Sequence, residues 1–216
     1  MQPQDTVKAN LQWNHRRWNS AETWTGDDNY GYAYHNPQAS DLAVSAFSSC
    51  MDKRLRPYVA GYGLDIVEIG CGAGRLTNEL ARYARALRLL DINSECLKLC
   101  ADRFKWFPSV EVYLLGDDAD LSCLAGRPCD LIASYDAFVH IHPDIIERYV
   151  EQFAAHLKPG GRAWIDHSGR GVRQTGCRTA MTDTKMRTLV EAHGLRVMGQ
   201  VFRNDWDCIT IMEKPQ

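Results

Sequence analysis

Three glycines at alternate positions, Gly70, Gly72 and Gly74, follow directly on an apolar run through Ile66, Val67 and Ile69 and precede a helical pattern. A strand that ends in such a turn and opens a helix presents bare main chain, because glycine accepts positive φ and carries no Cβ to hold a ligand away. The arrangement predicts a site for a nucleotide-like ligand. Glu68 stands two residues ahead of the first glycine, where a carboxylate would repel a pyrophosphate and suit a cation. Asp91 ends the next apolar run, about twenty residues on, where nucleotide-binding α/β folds set a carboxylate against the ribose hydroxyls. Two later stretches carry proton-transfer chemistry: Tyr135-Asp136-Ala137-Phe138-Val139-His140-Ile141-His142 and Asp166-His167-Ser168. A histidine titrating near neutrality is suited to take the proton of a hydroxyl. His140 is the preferred base and His167 the second candidate, with Asp136 orienting a base or binding hydroxyls.

These groups need a scaffold that brings strand ends to one edge, and the hydrophobic pattern supplies it. Strands are expected at about Asp65–Ile69, Ala86–Leu90, Val110–Leu115, Cys129–Ser134 and Arg162–Ile165, with two more at Leu195–Phe202 and Cys208–Met212. Helical spacing lies between them. One helix begins at Asn36-Pro37 and runs through Leu42, Met51 and Leu55; another has Leu76 and Leu80 inward and Arg75, Arg82 and Arg85 on its wet side. Asn93 or Ser94 caps the next, Pro143 opens a fourth that stops at Lys158-Pro159-Gly160-Gly161, and Thr182 or Asp183 caps a fifth ended by Gly194. The alternation predicts an α/β fold, a doubly wound, mostly parallel seven-stranded sheet whose last strand is antiparallel, with ligands outside the carboxyl ends of the strands. Residues 1–35 carry Trp13, Trp18, Trp24, Tyr30, Tyr32 and Tyr34, too many aromatics for a disordered tail, and are expected to cap the site. No repeat or low-complexity linker divides the chain, so one domain, 1–216, is expected, with residues 1–60 as cap and helix and 61–216 as core.

Glu68-x-Gly70-x-Gly72-x-Gly74 resembles the first motif of the class I S-adenosylmethionine-dependent methyltransferases, and Leu-Lys-Pro-Gly-Gly at 157–161 is similar to that family's turn into strand five. The resemblance covers roughly residues 60 to 216. It implies S-adenosylmethionine as cofactor and, for Asp117 just past strand three, a hydrogen bond to the adenine amino group, with Asp118 as the neighbouring alternative. The stretch from Tyr135 to Ile141, the Asp166-His167-Ser168 exit and the aromatic leader are similar to small bacterial carbohydrate O-methyltransferases of the methylmannose-polysaccharide type. That likeness implies a sugar or oligosaccharide acceptor, with polyketide, peptide and phenolic acceptors as alternatives. Arg170, Arg173 and Arg178, in the loop 169–178, are suited to a phosphate or carboxylate on the acceptor. A divalent cation such as Mg2+, held by Asp136 with His140, His142 or His167, is a further expectation.

Other classes fit less well. A dinucleotide fingerprint needs Gly-x-Gly-x-x-Gly, which argues against a nicotinamide-dependent oxidoreductase. The N-methyltransferase element Asn-Pro-Pro-Tyr is replaced by Ser134-Tyr135-Asp136-Ala137, and a net charge of −2 gives no drive toward a polyanion, so a nucleic-acid substrate is disfavoured. The eight cysteines form no Cys-x-x-Cys pair; Cys96 and Cys100 read as neighbouring core residues. With no long apolar run and no signal-like leader, no membrane contact and a cytoplasmic location are expected.

Overall fold

The computed structural model describes residues 6–18, 41–171 and 178–216. The expected helix start at Asn36-Pro37, the aromatics Trp24, Tyr30, Tyr32 and Tyr34, and Arg173 lie outside the described residues. Helix α1 (Val7–Trp18) is followed by α2 (Asp41–Arg54), then β1 (Leu64–Ile69), α3 (Arg75–Leu80), β2 (Ala84–Asp91), α4 (Ser94–Arg103) and β3 (Val110–Leu114). The second half runs β4 (Cys129–Phe138), α5 (Pro143–His156), β5 (Leu157–Ser168), α6 (Asp183–Ala192), β6 (Arg196–Phe202) and β7 (Asp207–Glu213). The seven strands form one sheet in the order β3-β2-β1-β4-β5-β7-β6. β1 to β5 pair in parallel, and β7 is antiparallel to both of its neighbours.

Burial of both sheet faces explains the near-continuous apolar runs in the central strands. Val67, Ile69, Ile132, Ala163 and Ile165 pack on one side with Ile146, Val150 and Phe153 of α5 and Met186 and Val190 of α6. Ile66, Leu89, Leu131, Ala133 and Trp164 face the other side, against Met51 of α2, Leu76 and Leu80 of α3, Leu97 and Cys100 of α4, and Phe104 just after it. The alternation of neighbouring residues between the two clusters is the period-2 signature of strands. The buried Trp164 indole N–H donates to the Arg54 carbonyl (2.9 Å), which satisfies a polar atom inside the core and fixes the end of α2. Cys96 and Cys100 are core residues with no exposure.

Two strands run further than the sequence pattern indicates. β4 continues past Ser134 to Phe138, and its register with β5 shifts between those residues, so Phe138 pairs with His167. β5 likewise extends to Ser168, and its first residue Leu157 already pairs with Cys129 before the Gly160-Gly161 irregularity. Gly160 has φ +74°, and a Cβ on Gly161 would lie 2.8 Å from the Lys158 carbonyl oxygen, so the turn chemistry expected here is retained within the strand's limits. Caps agree closely with the pattern: the Asn93 side chain accepts from the Glu95 N–H (2.8 Å), and Thr182 accepts from the Lys185 N–H (3.1 Å).

Candidate active site

β1 delivers its turn to the carboxyl edge of the sheet. Gly70, Gly72 and Gly74 all have positive φ, at +73°, +52° and +87°. A Cβ on Gly70 would sit 2.5 Å from the Cβ of Ala137, so the exits of β1 and β4 approach too closely for any side chain. Gly74 opens α3 in the left-handed conformation with the Phe104 ring 2.7 Å from where a Cβ would stand. Next to the turn, Asp91 accepts from the main-chain N–H groups of Gly72 and Asn93, both at 2.9 Å. Burial pushes the Asp91 carboxyl above its ordinary range, and these main-chain donors pull it part of the way back. Glu68 lies buried beneath the turn and accepts from the Thr77 hydroxyl at 2.6 Å. Burial raises its carboxyl to about 8, so an incoming cation would find a group that gains by ionising against it.

The exit of β4 forms the opposite wall. Asp136 has φ +62°, a strained setting for a residue with a side chain. It is held there from three directions. Its N–H donates to Asp166 (2.9 Å), and its carboxylate oxygens meet Arg203 at 2.5 Å and Arg75 at 3.2 Å. Burial would push the Asp136 carboxyl up, but the guanidinium groups of Arg203 and Arg75, with His140 close by, hold it below the usual carboxylate range. Arg203 also binds Asp166 (3.0 Å), Asp207 (3.0 Å) and the Tyr135 hydroxyl (3.1 Å), so one side chain joins β4, β5 and β7. Four residues past Asp136, the buried His140 lies with its ring centroid 5.2 Å from Trp18 and 5.7 Å from Trp13, both on α1.

One cavity collects Glu68, Gly70, Gly72, Asp91, Asp117, Asp136 and His140, with Asn10, Asn14 and Trp18 of α1 in its wall. Asp117 reaches it from the β3 exit and hydrogen-bonds His15 Nε2 of α1 at 2.5 Å; Asp118 is not part of the wall. Gly74 and His167 stand apart from the cavity. His167 is a buried residue of β5 whose Nδ1 pairs with the Ser168 carbonyl (2.8 Å) and whose Nε2 pairs with the Thr210 hydroxyl (2.7 Å). Burial pushes it down to about 4 against the pull of the Ser168 carbonyl. The His142 Nδ1 accepts from the Asp144 N–H (3.2 Å) and caps α5. Among the described residues no group of three or more His, Cys, Asp or Glu side chains is arranged to hold a metal. A divalent ion on Asp136 would also meet the guanidinium groups of Arg75 and Arg203, so this donor set does not fit one.

The sequence pattern misassigned Arg75. Helical periodicity sets it on the wet side, yet its side chain is only 19% exposed and turns inward to Asp136 between the rings of Phe47 and Tyr135. Its position directly after the left-handed Gly74 breaks the periodic frame. Asn10 and Asn14 were also missed as cavity residues; their i, i+4 spacing on a helix with a buried polar edge is the signal they carried.

A family profile described as a methyltransferase domain matches residues 66–161, from β1 into β5. Across 143 residues the chain is 24% identical to a ubiquinone biosynthesis O-methyltransferase of Chelativorans sp. (strain BNC1), a match that covers 66% of this chain and 54% of the relative's own length. The chain thus spans about half of that relative. Among solved structures it resembles the N-methyltransferase NodS of Bradyrhizobium japonicum WM9 in complex with S-adenosyl-L-homocysteine, at a TM-score of 0.66 and 19% identity, covering 96% of this chain and 99% of that one. It also resembles the magnesium protoporphyrin IX methyltransferase of Synechocystis PCC 6803 with bound SAM (TM-score 0.65, 14% identity, 95% of this chain and 97% of that one). These likenesses show the fold, a seven-stranded, mostly parallel α/β sheet with its last strand antiparallel.

Proposed function

We propose that this protein is an S-adenosylmethionine-dependent O-methyltransferase that methylates a hydroxyl of a small molecule, with a sugar or oligosaccharide as the acceptor and His140 as the base. The observation that carries the reading is that His140 shares one cavity wall with the bare turn at Gly70 and Gly72, with Glu68 and with Asp91. The bare main chain of the turn at Gly70 and Gly72, with the buried carboxyls of Glu68 and Asp91 beside it in the same cavity, suits a cationic sulfur nucleoside. In this reading Glu68 holds the amino group, Asp91 the ribose hydroxyls and Asp117 the adenine amino group. The cofactor supplies an electrophilic methyl group on a sulfonium. What remains for the protein is alignment and removal of the acceptor's proton.

His140 is the residue proposed for that proton. It stands beside Asp136, whose carboxylate is already taken up by Arg203 and Arg75 and stays ionised, so Asp136 favours the imidazolium that forms without being the base itself. The tryptophan rings of α1 that flank His140 exclude water from one side and present flat apolar faces to an acceptor. The aromatic faces and the acidic exit of β4 support a sugar, while the ubiquinone biosynthesis relative supports a phenolic hydroxyl as the second reading. Transfer of labelled methyl from S-adenosylmethionine to mono- and oligosaccharides, phenols and amines, each with and without EDTA, decides between them. Sugar labelling that EDTA leaves unchanged and His140→Ala reduces at least 100-fold is the expected result. Labelling of amines alone, or full activity in His140→Ala, would contradict it.

A further inference from the structure

Helix α1 is anchored over the cavity by a clasp that the proposed chemistry does not use directly. Asn10 is almost fully buried although it is polar and lies near the start of the described chain. Its Nδ2 donates to the carbonyl of His140 at 2.8 Å, and its Oδ1 accepts from the N–H of His142 at 2.9 Å, so a single amide closes both sides of the turn that carries His140. Asn14, one helical turn later, donates a second hydrogen bond to the same His140 carbonyl at 3.0 Å and accepts from the Trp18 indole N–H at 3.0 Å. Trp18 in turn lies against the His140 ring. The main chain of His140 and one face of its imidazole are thereby set by the same helix.

A buried amide that forms both bonds of a two-way bridge is costly to replace, because either lost partner leaves a polar group in a dry site. The turn also has main-chain bonds of its own: Ile141 N–H donates to the Phe138 carbonyl (3.3 Å), and the Val139 carbonyl accepts from Thr179 N–H (3.3 Å). His140 N–H donates to the Ala137 carbonyl (3.0 Å), and the residue before that, Asp136, is in the strained left-handed region. We propose that Asn10 is a positioning residue: it fixes the turn from His140 to His142 from outside the Rossmann-like core, so that the α1 cap and the orientation of the His140 imidazole form one unit. The inference rests on the methyltransferase reading only in giving that orientation a use; the coupling itself is a property of the chain.

The test uses the full chain saturated with S-adenosyl-L-homocysteine. Histidine side chains are labelled with 15N, and the His140 signal is identified by its loss in His140→Gln. In Asn10→Ser, and in the isosteric Asn10→Asp as a second variant that keeps the shape of the buried site, the His140 ring signals should shift or split while those of His193, just after α6, stay in place. Hydrogen exchange of the His142 amide should accelerate at least tenfold. His140 signals and His142 exchange identical to wild type in both variants would overturn the proposal. So would a uniform shift of every histidine with a matching drop in thermal midpoint, since that is a contribution to the fold alone. Failure of the catalytic reading is separate and shows as methyl transfer retained by His140→Ala or as no binding of S-adenosyl-L-homocysteine to wild type.

Discussion

At the scale of single residues, the same types of side chain carry opposite roles because their surroundings differ. The sequence sets His140 and His167 at the same edge of the sheet, with His140 the preferred candidate. His167 is enclosed by Ser168 and Thr210 with both ring nitrogens engaged, which makes it a core histidine kept neutral. That neutrality has a pH signature. Its folded value of about 4 lies below the ordinary value of 6.5, so between those limits the unfolded chain binds the extra proton and acidification destabilises the fold. Glu68 and Asp166, raised by burial to about 8 and about 7, act with the other sign: acidification stabilises the fold from those values down to the ordinary 4.5 and 3.8. The difference between wild type and His167→Gln isolates the histidine. Thermal or urea midpoints should fall more steeply from pH 6.5 to pH 4 in wild type than in the variant, by on the order of 2–3 kcal/mol across the window. Parallel curves would show that His167 is not held neutral.

At the scale of elements, the strand exits are bound to each other by charge as much as by main-chain pairing. Arg203 follows β6 and reaches Asp136 on β4, Asp166 on β5 and Asp207 on β7, and its own carbonyl accepts from Arg54 at the end of α2. Removing a largely buried guanidinium that faces three carboxylates leaves Asp166 without its cation, a loss of about 3–5 kcal/mol. Arg203→Met should lower the urea midpoint by that amount, and Arg203→Lys should recover only part of it, because an ammonium cannot reproduce the planar fork. An Arg203→Met variant as stable as wild type would mean the network is ornamental to the fold. This network was not legible in the sequence, for a physical reason. Periodicity reports which face of an element is buried; an ion pair between Asp136 and Arg203 depends on two irregular exits meeting across the sheet. The same limit hid the inward turn of Arg75, which follows a left-handed glycine, and ended β4 at Ser134, since the polar residues beyond it lie in a strand whose register shifts. The mostly parallel α/β sheet was legible, because the runs at β1, β2, β4 and β5 are apolar on both faces and the caps at Asn93 and Thr182 fix where helices begin.

At the scale of the whole molecule, the sheet gathers the ends of β1, β2, β3 and β4 around one cavity, and α1 closes over it through contacts to three of those exits. Asn10 holds the β4 exit, His15 holds Asp117 after β3, and the Trp18 carbonyl accepts from Asn93 after β2. A helix bound to the loops on both sides of the cavity couples its contents to the fold, so ligand binding should raise thermal stability in proportion to the logarithm of ligand concentration above its Kd. The bare Gly70 is the point where this arrangement depends on one atom. Calorimetric titration of the wild-type chain and of Gly70→Ala with S-adenosyl-L-homocysteine, beside NAD as control, tests the central claim most directly. The account predicts one site per chain for S-adenosyl-L-homocysteine, no heat with NAD, and at least a tenfold loss of affinity in Gly70→Ala while the variant remains folded. Binding of NAD in place of the sulfur nucleoside, or equal affinity in a folded Gly70→Ala, would contradict it.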